Sequence, residues 1–133
     1  TTKHWLWSLL IVPVLAISIG ISVVRASDRE QLRADHSFAV YNFDKSLQAA
    51  NIDNIEAFEN AYEQLSYIHE KENQKLFDGV DVYYSKKSEL VNKLQTVFKE
   101  LDRKYQAAPS GTNLEQKLKS KRDKVYSMKQ KLQ

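Results

Sequence analysis

No charged side chain occurs in residues 5–24, and from Arg25 onward the chain is rich in charge. That discontinuity constrains the fold more than any motif does. Twenty apolar or small residues in a helix, at about 1.5 Å each, span roughly 30 Å, the thickness of a bilayer's hydrocarbon core. Lys3 and Arg25 bracket the run, and Trp5 and Trp7 stand where interfacial aromatics belong. Pro13 would break a helix in water, but spanning helices tolerate it. The run is longer than the roughly 7–15 residues of a signal peptide's apolar core, although Val24-Arg25-Ala26 has the small-x-small form of a cleavage site. The spacing therefore predicts a short tail over 1–4 and a transmembrane helix over 5–24. Within it Ala16 and Gly20, and Ser18 and Ser22, form small-xxx-small pairs that let a second helix approach closely. Ordinary membrane-helix composition is the plainer account of them.

Charge leaves the orientation open. Lys3 lies on one side of the run, and Arg25, Arg29 and Arg33 on the other. Taken literally, the excess of positive charge places the larger part in the cytoplasm. A short tail followed by an exported domain is the usual signal-anchor arrangement. The expectation is a single pass through the plasma membrane with an extracytoplasmic domain.

Residues 25–133 read as helix throughout. Leu32, His36, Ala39, Phe43, Leu47 and Ala50 recur at steps of three and four, one face of a first helix over 27–50. Asn51-Ile52-Asp53-Asn54 reads as a turn, with Asp53 and Glu56 at capping-box spacing. Ile55, Phe58, Tyr62, Leu65, Ile68 and Leu76 stripe a second helix over 54–77, interrupted by Glu72 and stopped by Asp78-Gly79. Val80, Tyr83, Lys87, Leu90, Leu94, Val97 and Leu101 form a heptad seam over 80–106, with Lys87 its one charged member. Residues 107–112, Ala-Ala-Pro-Ser-Gly-Thr, form a loop. Asn113, with Gln116 three places on, then caps a fourth helix over 113–133, striped by Leu114, Leu118, Lys121, Val125, Met128 and Leu132. The fold class expected is all-α: an N-terminal transmembrane helix, then an antiparallel bundle or coiled-coil domain of about four amphipathic helices. The rival is an elongated form in which the second and third helices run together through Gly79.

Chemistry is sparse. The chain lacks cysteine, which excludes disulfides and thiolate chemistry. It has three glycines, so loops that cradle phosphate through clustered backbone N–H groups cannot be built. None of the asparagines begins a glycosylation sequon. His69-Glu70-Lys71-Glu72-Asn73 opens like the HExxH zinc helix, but Asn73 stands at the second ligand position. His36 and His69 are single residues on separate helices, free to pack or face solvent. Asp78 and Asp81 flank Gly79 without the alternating oxygen ligands of a calcium loop. No catalytic, cofactor-binding or metal-ligating residue is assigned, and no enzyme is expected. An enzyme would need carboxylates converging in a pocket, with Glu72 facing another stripe.

The last helix carries the chain's charge asymmetry. Residues 113–133 hold seven basic and two acidic side chains, a net +5 in a chain of net +3. Lys117, Lys121, Arg122, Lys124 and Lys129 form a candidate basic face for anionic lipid or an acidic protein partner. The plainer reading is a solvated face complementing acids on neighbouring helices. Nucleic acid is not expected, since no stacking platform or recognition motif accompanies the charge.

One anchor and long amphipathic helices predict a non-catalytic, single-pass membrane scaffold or accessory subunit. It would bind a partner protein, or itself, through its helices. The alternative is a sensory module. The layout, a spanning helix leading into a four-helix bundle, is similar to the ligand-binding domains of bacterial chemoreceptors and sensor kinases. That resemblance implies a second apolar run beyond Gln133.

Overall fold

The computed structural model describes residues 21–133, with side chains from Ala26 onward. The predicted membrane segment lies outside the described residues except for its last four positions, and so do Ala16, Ser18 and Gly20. Ser22 is described only as helical backbone. Among the described residues no helix is long and apolar enough to cross a membrane.

Four helices and no strand make up the described part. They are α1 (Ile21–Ala49), α2 (Glu56–Glu72), α3 (Tyr83–Ala107) and α4 (Asn113–Leu132). They run up, down, up and down. His36 of α1 meets Glu72 at the end of α2, and Asp102 and Phe98 of α3 meet Arg122 and Tyr126 of α4. The pairs α1–α2 and α3–α4 pack along their lengths, and α2–α3 packs less extensively. Side chains also tie α1 to α3, since Lys86 reaches Asp44 and the Lys93 ammonium donates to the Leu47 carbonyl.

The apolar stripes become one core. Phe43, Phe58, Leu65, Ile68, Leu90, Leu94, Leu101 and Val125 are fully buried within it. Ala57 and Ala61 join them because two small side chains let α2 sit close against its neighbours. Burying a Leu or Phe side chain stabilises by about 1.5–3 kcal/mol, so this core outweighs any single polar contact. Four apolar stripe members do not join. Leu32 and Leu76 pack outside the cluster. Val80 is 79 % exposed in the α2–α3 connection, and Leu114 is 54 % exposed in the first turn of α4.

Helix ends differ from expectation where a side chain finds a partner that spacing does not show. Asp53 does not cap α2. Its backbone N–H is taken by the Asn51 side chain, Asn51 and Asn54 pair through their backbones, and Ile55 precedes α2 without a side-chain cap. On α4 the cap is Thr112 rather than Asn113. The Thr112 hydroxyl accepts from Glu115 N–H at 3.2 Å, and the Glu115 carboxylate accepts from Gly111 N–H. Helix α2 stops at Glu72, before the predicted end at 77, and residues 73–82 fold back across α1. This break, anchored by Arg33–Asp78, separates α2 from α3 and removes the elongated form.

Candidate functional site

The polar side chains of greatest interest gather at one end of the bundle, where α2 ends, α3 begins and α4 ends. Glu72 is central to it. Its side chain is 6 % exposed, and its carboxylate accepts three hydrogen bonds. His36 Nε2 lies 2.7 Å from Oε2, Val82 N–H donates to Oε2 at 2.9 Å, and Tyr83 N–H donates to Oε1 at 3.1 Å. Helix α3 has no cap from its own Val82, so the end of α2 supplies the carboxylate that its first N–H groups and positive dipole end require. The Phe77 ring covers His36 at 4.6 Å between centroids. Both oxygens of Glu72 are thereby committed to the fold, which makes it a clasp on the 73–82 connection.

The other motifs of this end resolve into local pairs. His69 and Asn73, the positions that imitate a zinc helix, meet each other instead, with Asn73 Nδ2 at 3.2 Å from His69 Nε2. The His69 ring also stacks on Tyr83 at 4.1 Å. His36 and His69 therefore have separate partners, and among the described residues no cluster could hold a metal ion. Asp78 pairs with Arg33 at 2.7 Å, and the hydrogen bond from that guanidinium holds the carboxyl below the usual aspartate range.

The basic residues of α4 do not share one face. Arg122 turns toward α3, where Asp102 accepts from it at 3.0 Å and the Tyr105 ring lies 4.3 Å beneath it. Lys129 lies over the Phe98 ring of the same helix. Lys124 and Lys131 face the other way, into a cleft between α2 and α4 whose opposite wall is Glu59 and Tyr62. Lys117 is exposed and Lys121 half-buried. Helix α2 carries five acids and one lysine against seven bases and two acids on α4, and within the cleft Glu59 stands against Lys124 and Lys131.

The cleft continues toward the clasp. There it is lined by Leu65, Ser66 and His69 of α2, Tyr83 and Lys87 of α3, and Lys131 and Leu132 of α4. On the far side of α2 a second groove runs between α1 and α2, lined by Phe38, Ala39, Asn42, Gln64 and Tyr67 with Asp35, Glu63 and Lys71 at its rim. Phe38 and Tyr67 are 58 % and 42 % exposed there, and Tyr41, elsewhere on α1, is 57 % exposed. Tyr67 donates its hydroxyl proton to Glu63 at 3.1 Å, a bond that raises the phenol above its ordinary range. Sequence reasoning missed this groove because Phe38 and Tyr67 both fall outside the core stripes. Their off-stripe position was itself the available signal. Against known families, curated proteins and solved structures the chain finds no match.

Proposed function

We propose that this chain is a non-catalytic, single-pass membrane scaffold or accessory subunit that holds a partner protein on the outer face of α1 and α2. One observation carries the reading: two large aromatics, Phe38 and Tyr67, stand exposed along one groove beside Asp35 and Glu63, and Tyr41 is exposed on the same helix as Phe38. Glu56, Glu63 and Glu70 recur at every seventh residue of α2, and all three are exposed. Aromatic anchors rimmed by charge are what protein interfaces are built from, and an acidic heptad row pairs with a basic one on a partner helix. The partner of this face is therefore a helix presenting basic and apolar residues.

The apolar run at 5–24 supplies the bilayer anchor, and the bundle stands on the extracytoplasmic side of the plasma membrane. Helix α1 continues about 16 Å from Arg25 to His36, where α2 ends beside it. Electrostatic attraction to lipid fades over about 8 Å in physiological salt. With α1 upright, the lysines of α4 lie beyond that distance, and Lys117 is about 21 Å farther than Lys131. Their targets are therefore proteins or solutes rather than headgroups.

The test is photo-crosslinking in intact membranes, with the crosslinking residue placed at Phe38, at Tyr67 and, as a control, at exposed Gln106. The expected result is one adduct of the same mass from the first two positions and none from the third, abolished by Glu63→Lys. Loss of all adducts, together with a chain that leaves mild detergent alone and monomeric, overturns the proposal. Protease protection of the bundle in sealed vesicles decides the orientation. A second reading, the sensory module, is favoured by one observation, the cleft between α2 and α4.

A further inference from the structure

We infer that the clasp end of the α2–α4 cleft binds a phosphate-bearing anion between Lys87 and Lys131, with His69 as a hydrogen-bond donor. The inference is independent of the partner-binding face on the other side of α2.

Neighbouring lysines on α3 differ in their partners. Lys86, Lys87 and Lys93 are all half-buried. Lys86 has two carboxylates, Asp44 at 2.8 Å and Glu89 at 3.3 Å. Burial pulls its ammonium down, but these bonds outweigh burial and hold it above the usual lysine range. Lys93 donates to the Leu47 carbonyl. Lys87 has no oxygen partner among the described residues. It stands on the inward stripe of α3, one turn before fully buried Leu90, with its ammonium 6.0 Å from the centre of the Tyr83 ring. A partly desolvated cation without a counter-charge costs free energy that an anion would recover.

Lys131 lines the same part of the cleft, and no carboxylate does. Glu59 faces Lys131 farther along the cleft but forms no ion pair with it among the described residues. Two ammonium groups match the charge of about −1.5 to −2 on a phosphate monoester better than the single charge of a carboxylate. His69 is held for the role by Asn73 and by stacking on Tyr83. With Asn73 Nδ2 donating to Nε2, the neutral ring carries its proton on Nδ1 and can donate it. The Ser66 hydroxyl, now bonded to the Tyr62 carbonyl at 3.2 Å, is the other donor in reach of the cleft.

The same chemistry could come from a lipid headgroup or a free phosphate. The roughly 16 Å of α1 between Arg25 and the level of the clasp favours a free one. The experiment uses the full chain in phosphatidylcholine nanodiscs, titrated with inorganic phosphate and followed by amide chemical shifts. Saturable shifts are expected at Lys87, His69 and Lys131. Lys87→Gln and Lys131→Gln should each weaken binding about tenfold, the usual worth of a charge-assisted bond. Lys104→Gln, on the exposed surface of α3, should leave it unchanged. Because Lys131 is exposed, its variant reads binding even where Lys87→Gln perturbs packing. A second arm adds phosphatidic acid to the disc. Shifts seen there but not with inorganic phosphate keep the site and assign it to a headgroup. Absence of saturable shifts in both arms, equal binding of acetate, or unchanged affinity in both lysine variants overturns the inference.

Discussion

The connections that lead into α3 and α4 start their helices by opposite means. At 108–112 the start of α4 is built from adjacent residues: Thr112 accepts from Glu115 N–H, Glu115 reaches back to Gly111, and Gly111 adopts φ +79°. At 73–82 the start of α3 is built by a residue ten and eleven positions away, Glu72, which is itself fixed by His36 from a third element. A local cap stabilises one helix. A distant one stabilises the helix, the connection and the packing of α1 at once, so its loss propagates.

The largest expected effect follows directly. Glu72→Ala leaves His36 and two backbone N–H groups unpaired in a buried place, and breaking such a cluster costs about 3–5 kcal/mol. Thr112→Ala removes one local cap and costs about 1 kcal/mol. Thermal unfolding followed by circular dichroism should rank them in that order, with α3 losing amide-exchange protection only in the Glu72 variant. Equal losses from the two variants would mean that the clasp is no more than another cap.

The glycines sharpen the same contrast. A Cβ on Gly79 would lie 2.8 Å from Phe77 Cζ, while one on Gly111 would meet nothing within 4 Å but would sit at a positive φ. Gly111→Ala should therefore cost about 1–2 kcal/mol through its own backbone alone. Gly79→Ala should cost a similar amount by a different route, pushing the Phe77 ring off His36. The two are told apart by a double-mutant cycle with Phe77→Leu, read by denaturant unfolding. Coupling is expected for Gly79→Ala and none for Gly111→Ala.

The same division explains how much the sequence discloses. Four helices, their order and most of the core follow from apolar recurrence, because Phe43, Leu65, Leu94 and Val125 each lie on a stripe. The loop at 107–112 is legible because its Pro, Gly and Thr act on their own neighbours. Glu72 reads only as an interruption of the α2 stripe, since nothing in its spacing names His36 or Val82 as its partners. The basic residues of α4 are conspicuous as a charge excess, yet their division between Asp102 on one side and the cleft on the other depends on packing. Lys87 is visible as a charge on an apolar seam. That it lacks a partner while Lys86 has two is a property of the assembled bundle.

The smallest effect concerns the outer tether of the long connection. Asp78 lies at the surface, and its folded carboxyl is held below the ordinary value of 3.8 by the hydrogen bond from Arg33. A depressed carboxyl contributes stability above the unfolded value and loses it as the pH falls through the folded one. The tether should therefore be intact at neutral pH and released only below about pH 4, and by a small amount, because solvent screens an exposed pair. Asp78→Asn should flatten the pH dependence of amide exchange across 74–80 in that acid window. The clasp at Glu72 should remain closed above it in both proteins. If Asp78→Asn instead unprotects the first turn of α3 at neutral pH, the connection is held from its surface, and the buried carboxylate is secondary.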